Sequence, residues 1–142
     1  LGLLVACATP QEKAQQRIDQ ARAIEGSPED AIPLLDEALV LDPTRTDVLP
    51  TLAALQFEVG AHEVARTIAR AALEAGEEPA LDLLLLEGRA SAALGDHARA
   101  ATQLQAAAGL DPDQPELWLE IAAAHEASGD IEDAVEAYAP GS

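Results

Sequence analysis

The stretch from Pro115 to Tyr138 reads PELWLEIAAAHEASGDIEDAVEAY, and it decides the fold. Apolar residues recur at helical spacing on both sides of a Ser128-Gly129-Asp130 break, which is a turn signal. The segment therefore predicts two short helices joined by a tight turn. The other segments of the chain read as copies of this hairpin.

The turn glycine of this hairpin returns along the chain at a nearly constant interval, which is about 34 residues. Its positions are Gly26, Gly60, Gly95 and Gly129, and the middle interval is the longest by a single position. Five positions after each glycine comes a small residue that keeps the same intervals: Ala31, Ala65, Ala100 and Ala134. Small side chains at matched positions predict that the paired helices approach closely. Since one such hairpin cannot bury its own apolar face, neighbouring hairpins are expected to stack into one core.

The last hairpin also carries a recognisable motif. Its residues are Trp118, Ile121, Ala122, His125, Ala134 and Tyr138. Their spacing resembles the tetratricopeptide repeat, whose pattern is Trp-x2-Leu-Gly-x2-Tyr, then Ala-x3-Phe, then Pro. The resemblance implies an all-α fold, a right-handed α-solenoid of about four helix-turn-helix repeats. An ordinary helical bundle with chance periodicity is the alternative.

The expected domain covers residues 14–139, with repeats at about 12–45, 46–80, 81–114 and 115–142. Eight helices are predicted, at about 11–25, 29–41, 46–58, 62–75, 79–94, 97–109, 114–128 and 131–139. Strict alignment with the motif puts Glu87 at a core position, where an unpaired carboxylate is costly. We therefore expect the extra residue of the long interval to lie between Gly88 and Gly95. The inward residues would then be Leu83, Leu86, Ala90 and either Ala93 or Leu94.

The composition limits the possible partners. The chain has 142 residues, 49% of them apolar and only 2% aromatic, which suits tightly stacked helices built from Ala and Leu. Its formal net charge is −18, and all eight Lys and Arg residues precede residue 100. Such a surface repels phosphate backbones, so no nucleic-acid partner is expected. The acidity serves solubility alone or attracts a basic partner.

Residues 1–8 read LGLLVACA, an apolar run with the only cysteine, Cys7, next to its end. The run is far short of the roughly 20 residues needed to span a bilayer. It reads as the end of a secretory signal, and Leu4 to Cys7 resembles the lipobox of bacterial lipoproteins. The resemblance implies that residues 1–7 are the end of a signal peptide, that Cys7 carries a lipid and that residues 8–13 form a linker. It also implies the periplasmic face of the outer membrane. A small buried thiol is the alternative.

The sequence offers little for catalysis. His62 and His97 occupy the same place in successive repeats. They are expected to be solvent-exposed side chains rather than metal ligands. No metal site of the usual form and no phosphate-binding glycine loop is found, and no cofactor is expected. His125 replaces an aromatic residue of the motif and is expected to pack between helices. We predict a protein that is not an enzyme.

In tetratricopeptide arrays the first helices line a concave groove, so the resemblance implies that a partner binds there. The groove residues expected here are Asp47, Pro50, Ala54, Phe57, Asp82, Leu85, Arg89, Glu116, Leu119, Ala123 and Glu126, with Gln16, Gln20 and Ala92 beside them. The Lys, Arg and Asn set that holds a C-terminal carboxylate in some relatives is missing. A protein segment with apolar anchors and basic flanks fits this groove better. Alternatively, Phe57, Leu85 and Leu119 pack against the next helix or a second copy.

These observations favour a lipid-anchored periplasmic scaffold that binds another protein and aids assembly of an envelope complex. The only contact with a membrane would be the lipid anchor. The alternative is an unanchored cytosolic adaptor, or the regulatory region of a larger enzyme.

Overall fold

A computed structural model describes residues 7–138, apart from the side chain of Ile131. Residues 1–6, with most of the expected lipobox, and residues 139–142 lie outside the described part. Within the described part the chain is helical and has no strand. The helices are α1 (Pro10–Arg22), α2 (Pro28–Leu41), α3 (Leu49–Glu58), α4 (His62–Glu74), α5 (Ala80–Ala93), α6 (His97–Leu110), α7 (Pro115–Ser128) and α8 (Ile131–Tyr138).

Each helix packs against its neighbours in the chain, so that four hairpins stack in sequence order. The predicted all-α solenoid is confirmed. No described helix has the length and apolar character that crossing a bilayer requires.

One linker and one helix start differ from the sequence expectation. α1 begins at Pro10, close to the predicted start at about residue 11, because the Thr9 hydroxyl accepts a hydrogen bond from the Glu12 backbone N–H at 3.1 Å. The helix therefore occupies most of the segment 8–13 that was expected to be a linker. The third helix was expected from residue 46. Residues Thr46–Val48 instead form a 3-10 turn, and α3 follows with Pro50 in its first turn.

The small residues of the repeat are buried between the helices. Ala31, Ala65, Ala100 and Ala134 are each 5% exposed or less. Larger side chains from successive hairpins fill the space between them, among them Ile18, Leu52, Leu104 and Ile121. The close helix approach predicted from the alanines is therefore confirmed.

The turns within the hairpins follow from their glycines. Gly95 has φ +82°, a left-handed conformation that strains any other residue. This allows the Asp96 N–H to donate to the Ser91 carbonyl at 2.9 Å and close α5. The Asp96 carboxylate then accepts a hydrogen bond from the Arg99 N–H at the start of α6.

The expectation for Glu87 is wrong, because this residue occupies the core position and is only 1% exposed. Its carboxylate accepts hydrogen bonds from Arg70 Nε and Nη2 at 3.1 and 3.0 Å. Arg99 Nη2 lies 3.5 Å away. Burial of the charge is tolerated because α4 and α6 supply guanidinium groups from both sides. Of the residues expected to face inward, Leu83 and Ala90 are buried, Leu86 is partly buried, and Ala93 and Leu94 are exposed.

The extra residue of the long interval also lies elsewhere than expected. Within a hairpin, the number of residues from a core position on the first helix to its partner on the second is constant. The step from Gly88 to Ala100, for example, equals the step from Ala122 to Ala134. Between hairpins the spacing varies. The step from Ala72 to Glu87 is longer by a single position than the matching step from Ala107 to Ile121. The loop between α4 and α5 absorbs the additional residue, because a loop can lengthen without shifting the packed faces.

Candidate functional site

The expected groove residues all lie on the first helices of the hairpins or in the turn before α3. Most are exposed: Asp47, Ala54, Asp82, Arg89, Glu116, Leu119, Ala123, Glu126, Gln16 and Gln20. Others are partly buried: Pro50, Phe57, Leu85 and Ala92. This distribution leaves a surface of side chains along the first helices that the core does not use. Their role in binding stays a prediction.

The three large apolar groove candidates, Phe57, Leu85 and Leu119, differ in how much of their surface is exposed. The Phe57 ring meets the His62 ring edge to face, with ring centroids 5.0 Å apart. Leu85 packs against the buried cluster around Leu104. Leu119 is 55% exposed. Packing within the chain therefore accounts for much of Phe57 and Leu85 but not for Leu119.

A shallow depression of about 240 Å³ lies between α5 and α7. Its lining is mostly small and apolar, and it comprises Arg89, Ala92, His97, Leu104, Glu120, Ala123, Ala124 and Ala127. Arg89 closes one side by donating from Nε and Nη2 to the two Glu120 oxygens at 2.9 and 2.8 Å. These hydrogen bonds raise the pKa of Arg89 above its ordinary value. The Arg89 charge is therefore paired with Glu120 within the chain.

The predicted groove residue Asp47 also forms an ion pair within the chain. Arg45 Nε and Nη2 donate to the two Asp47 oxygens, each at 2.9 Å. These hydrogen bonds lower the pKa of Asp47. Arg45 also donates to Gln15 Oε1 at 2.8 Å, which links the first hairpin to the second.

The remaining acidic groove residues keep their charge unmatched. Among the described residues, Asp82 and Glu116 have no ion-pair partner. The neighbouring Glu126 carboxylate raises the pKa of Tyr138. Asp82 on α5, and Glu116 one helical turn from the exposed Leu119 on α7, are therefore exposed carboxylates that no described arginine or lysine pairs with.

The histidines lie where the sequence indicated. His62 and His97 begin α4 and α6 as predicted, but both are partly buried rather than exposed. His125 is buried at 6% exposure, as expected. The sequence reasoning missed that His125, Asp130 and Asp133 come together, with one ligand atom from each within 4.8 Å of the others. The signal for this cluster was available as His-x4-Asp-x2-Asp across the last turn.

The stacked hairpins and their exposed first helices define the chain as a helical repeat protein. Family models described as tetratricopeptide repeat match residues 51–115 and 91–142. The chain belongs to the tetratricopeptide repeat family, whose domains bind protein partners.

Solved structures of MamA are similar to this chain. One, titled as a crystal structure of MamA protein, has a TM-score of 0.76 and 21% identity, covering 88% of this chain and 69% of that chain. Another crystal structure of MamA has a TM-score of 0.75, also at 21% identity, covering 88% and 74%. MamA from Desulfovibrio magneticus RS-1 has a TM-score of 0.71 and 21% identity, covering 91% and 71%. At this identity the likeness shows the fold alone. No curated protein matches the chain.

Proposed function

We propose that this protein is a non-catalytic scaffold that binds a segment of another protein along α5 and α7. The observation that carries the proposal is Leu119, an aliphatic side chain that is 55% exposed on α7 at a predicted groove position. It lies one helical turn from Glu116 and from Ala123, so an apolar anchor could enter between an acidic and a small residue. Repeat solenoids use extended concave surfaces of this kind for binding.

The charge of the groove indicates the chemistry of the partner. Arg89 and Arg45 are matched by Glu120 and Asp47, whereas Asp82 and Glu116 are free of such pairing within the described residues. A segment with an apolar residue for Leu119 and Lys or Arg beside it matches this surface. The formal net charge of −18 would speed the approach of such a basic segment at low salt.

Leu119→Asp is expected to weaken partner binding by about tenfold or more, because it puts a charge in place of the exposed aliphatic side chain and removes the anchor contact. The control is Val64→Asp, which puts the same side chain at an exposed aliphatic position on α4, the second helix of its hairpin. Proteins crosslinked to the chain in its native cells are identified by mass spectrometry, and their binding to each purified variant is then measured. Equal binding of every partner by both variants would contradict a groove at Leu119.

We further propose that the chain is held at a bacterial membrane, at the periplasmic face of the outer membrane, by a lipid on Cys7. There it would aid assembly of an envelope complex. The support is that Cys7 is exposed and in no disulfide, and that it follows three residues resembling a lipobox. Only Ala8 and Thr9 separate it from α1, so a lipid there would keep the first hairpin within about 10 Å of the bilayer surface.

Cys7→Ser is expected to abolish incorporation of radiolabelled palmitate and to release the protein from the membrane fraction, because the acceptor sulfur is gone. The protein is expressed from its own gene in its native cells, and label and fractionation are compared with those of the unaltered chain. Unchanged labelling, or no label in the unaltered chain, would reject the anchor and favour an unanchored adaptor.

A further inference from the structure

The last hairpin brings one imidazole and two carboxylates to a single point. His125 lies near the end of α7, Asp130 follows the turn glycine, and Asp133 lies in the first turn of α8. One ligand atom of each lies within 4.8 Å of the others. Nδ1 of His125 and Oδ2 of Asp133 are 4.0 Å apart, which is too long for a hydrogen bond.

The imidazole has one nitrogen without a partner. The His125 side chain is only 7% exposed, and its Nδ1 is buried without a hydrogen-bond partner. Leaving a buried polar atom without a partner is unfavourable. Because this nitrogen faces Asp133, a group that binds both would satisfy it.

The other ring nitrogen is held in place by a neighbouring hairpin. His125 Nε2 lies 3.0 Å from the side-chain amide nitrogen of Gln105 on α6. When the exposed Gln105 amide turns over, its oxygen accepts a hydrogen bond from Nε2–H, and Nδ1 keeps its lone pair for a ligand. Histidines that bind metals are commonly fixed by such a hydrogen bond from their second nitrogen.

We propose that His125, Asp130 and Asp133 bind a divalent transition-metal ion of the Zn²⁺ class. One imidazole nitrogen and two carboxylate oxygens suit such an ion, whereas Mg²⁺ and Ca²⁺ prefer oxygen ligands alone. Ligands about 2.1 Å from one ion lie at most about 4.2 Å apart, so the carboxylates have to move inward slightly. Both carboxylates are exposed, and Asp130 is held only by a hydrogen bond that it accepts from the Ser128 hydroxyl at 3.2 Å. The ion would join α8 to α7.

Titration of the full, tag-free chain with ZnCl₂ by isothermal calorimetry tests the proposal, in buffer containing excess Mg²⁺. The unaltered protein is expected to bind one ion per chain. Asp133→Asn is expected to weaken binding by about tenfold or more, since it removes a direct ligand. Glu132→Gln is the matched control, because it removes the same charge from the next residue, also exposed on α8, and should leave the affinity unchanged.

A second variant, Asp130→Asn, is measured in the same way and is also expected to bind more weakly, and circular dichroism verifies that each variant is folded. Equal weakening by Glu132→Gln and Asp133→Asn would overturn the proposal, because it would mean diffuse attraction to an acidic surface. Binding that does not saturate at one ion, or that excess Mg²⁺ abolishes, would overturn it as well.

Discussion

Replacing both Arg70 and Arg99 with methionine is expected to lower the free energy of unfolding by about 3–5 kcal/mol. Glu87, which these side chains contact, is 1% exposed and would be left as a buried carboxylate without a partner. The two arginines are more than a third exposed, so the protein can lose them without opening a large cavity. Urea unfolding followed by circular dichroism measures the change.

Two further variants distinguish the effect of leaving the Glu87 carboxylate buried without a partner from the effect of removing any arginine. Adding Glu87→Leu to the double variant is expected to recover most of the stability, because an apolar side chain suits the same position. Arg89→Met removes one member of the Arg89–Glu120 pair. It should cost no more than about 1 kcal/mol, since both partners are more than a third exposed. A triple variant no more stable than the double would show that the buried carboxylate is not the cause.

Gly88→Ala is expected to destabilise the protein by about 1–2 kcal/mol, although alanine favours a helix more than glycine does. A Cβ at Gly88 would lie 2.9 Å from both Cγ and Cδ2 of Leu104, and 3.4 Å from its backbone nitrogen. Leu104 is 2% exposed, so either its side chain shifts toward the depression that it lines or the α5 and α6 axes separate. The same urea titration measures the loss.

The matched control is Gly109→Ala, the same substitution at a helical glycine of α6 with no neighbouring atom within 4 Å of the new Cβ. This change is expected to be neutral or to stabilise by about 0.5–1 kcal/mol. Combining Gly88→Ala with Leu104→Ala should cost less than the sum of the two single changes, because the smaller side chain relieves the clash. Destabilisation of the same size at both glycines would contradict the steric explanation.

The sequence alone predicted the repeat, because glycine turns and small interface residues leave a local and periodic signal. Gly129 and Ala134 needed only comparison with their counterparts in the earlier hairpins. Glu87 was misplaced for the opposite reason. Its partners lie 17 residues before it and 12 after it on different helices, and a rule on isolated buried carboxylates does not include them.

The same limit applies to the groove. Which side chains lie along the first helices could be read from helical position. Which of these side chains are already engaged in ion pairs or hydrogen bonds could not be read in this way, because those contacts form between different repeats. Arg89 and Glu120 are 31 residues apart, and Gln15 and Arg45 are 30 apart. Leu119 kept its exposure because the described residues place no such neighbour over it.

The loop that absorbs the additional residue has a mechanical consequence. In a stack where each hairpin contacts only the adjacent ones, curvature is the sum of the small rotations at successive junctions. The junction between the second and third hairpins carries both the longer loop and the Glu87–Arg70 pair. The rotation at this junction, and with it the curvature of the stack, is therefore set where the longer loop and the ion pair together join α4 to α5.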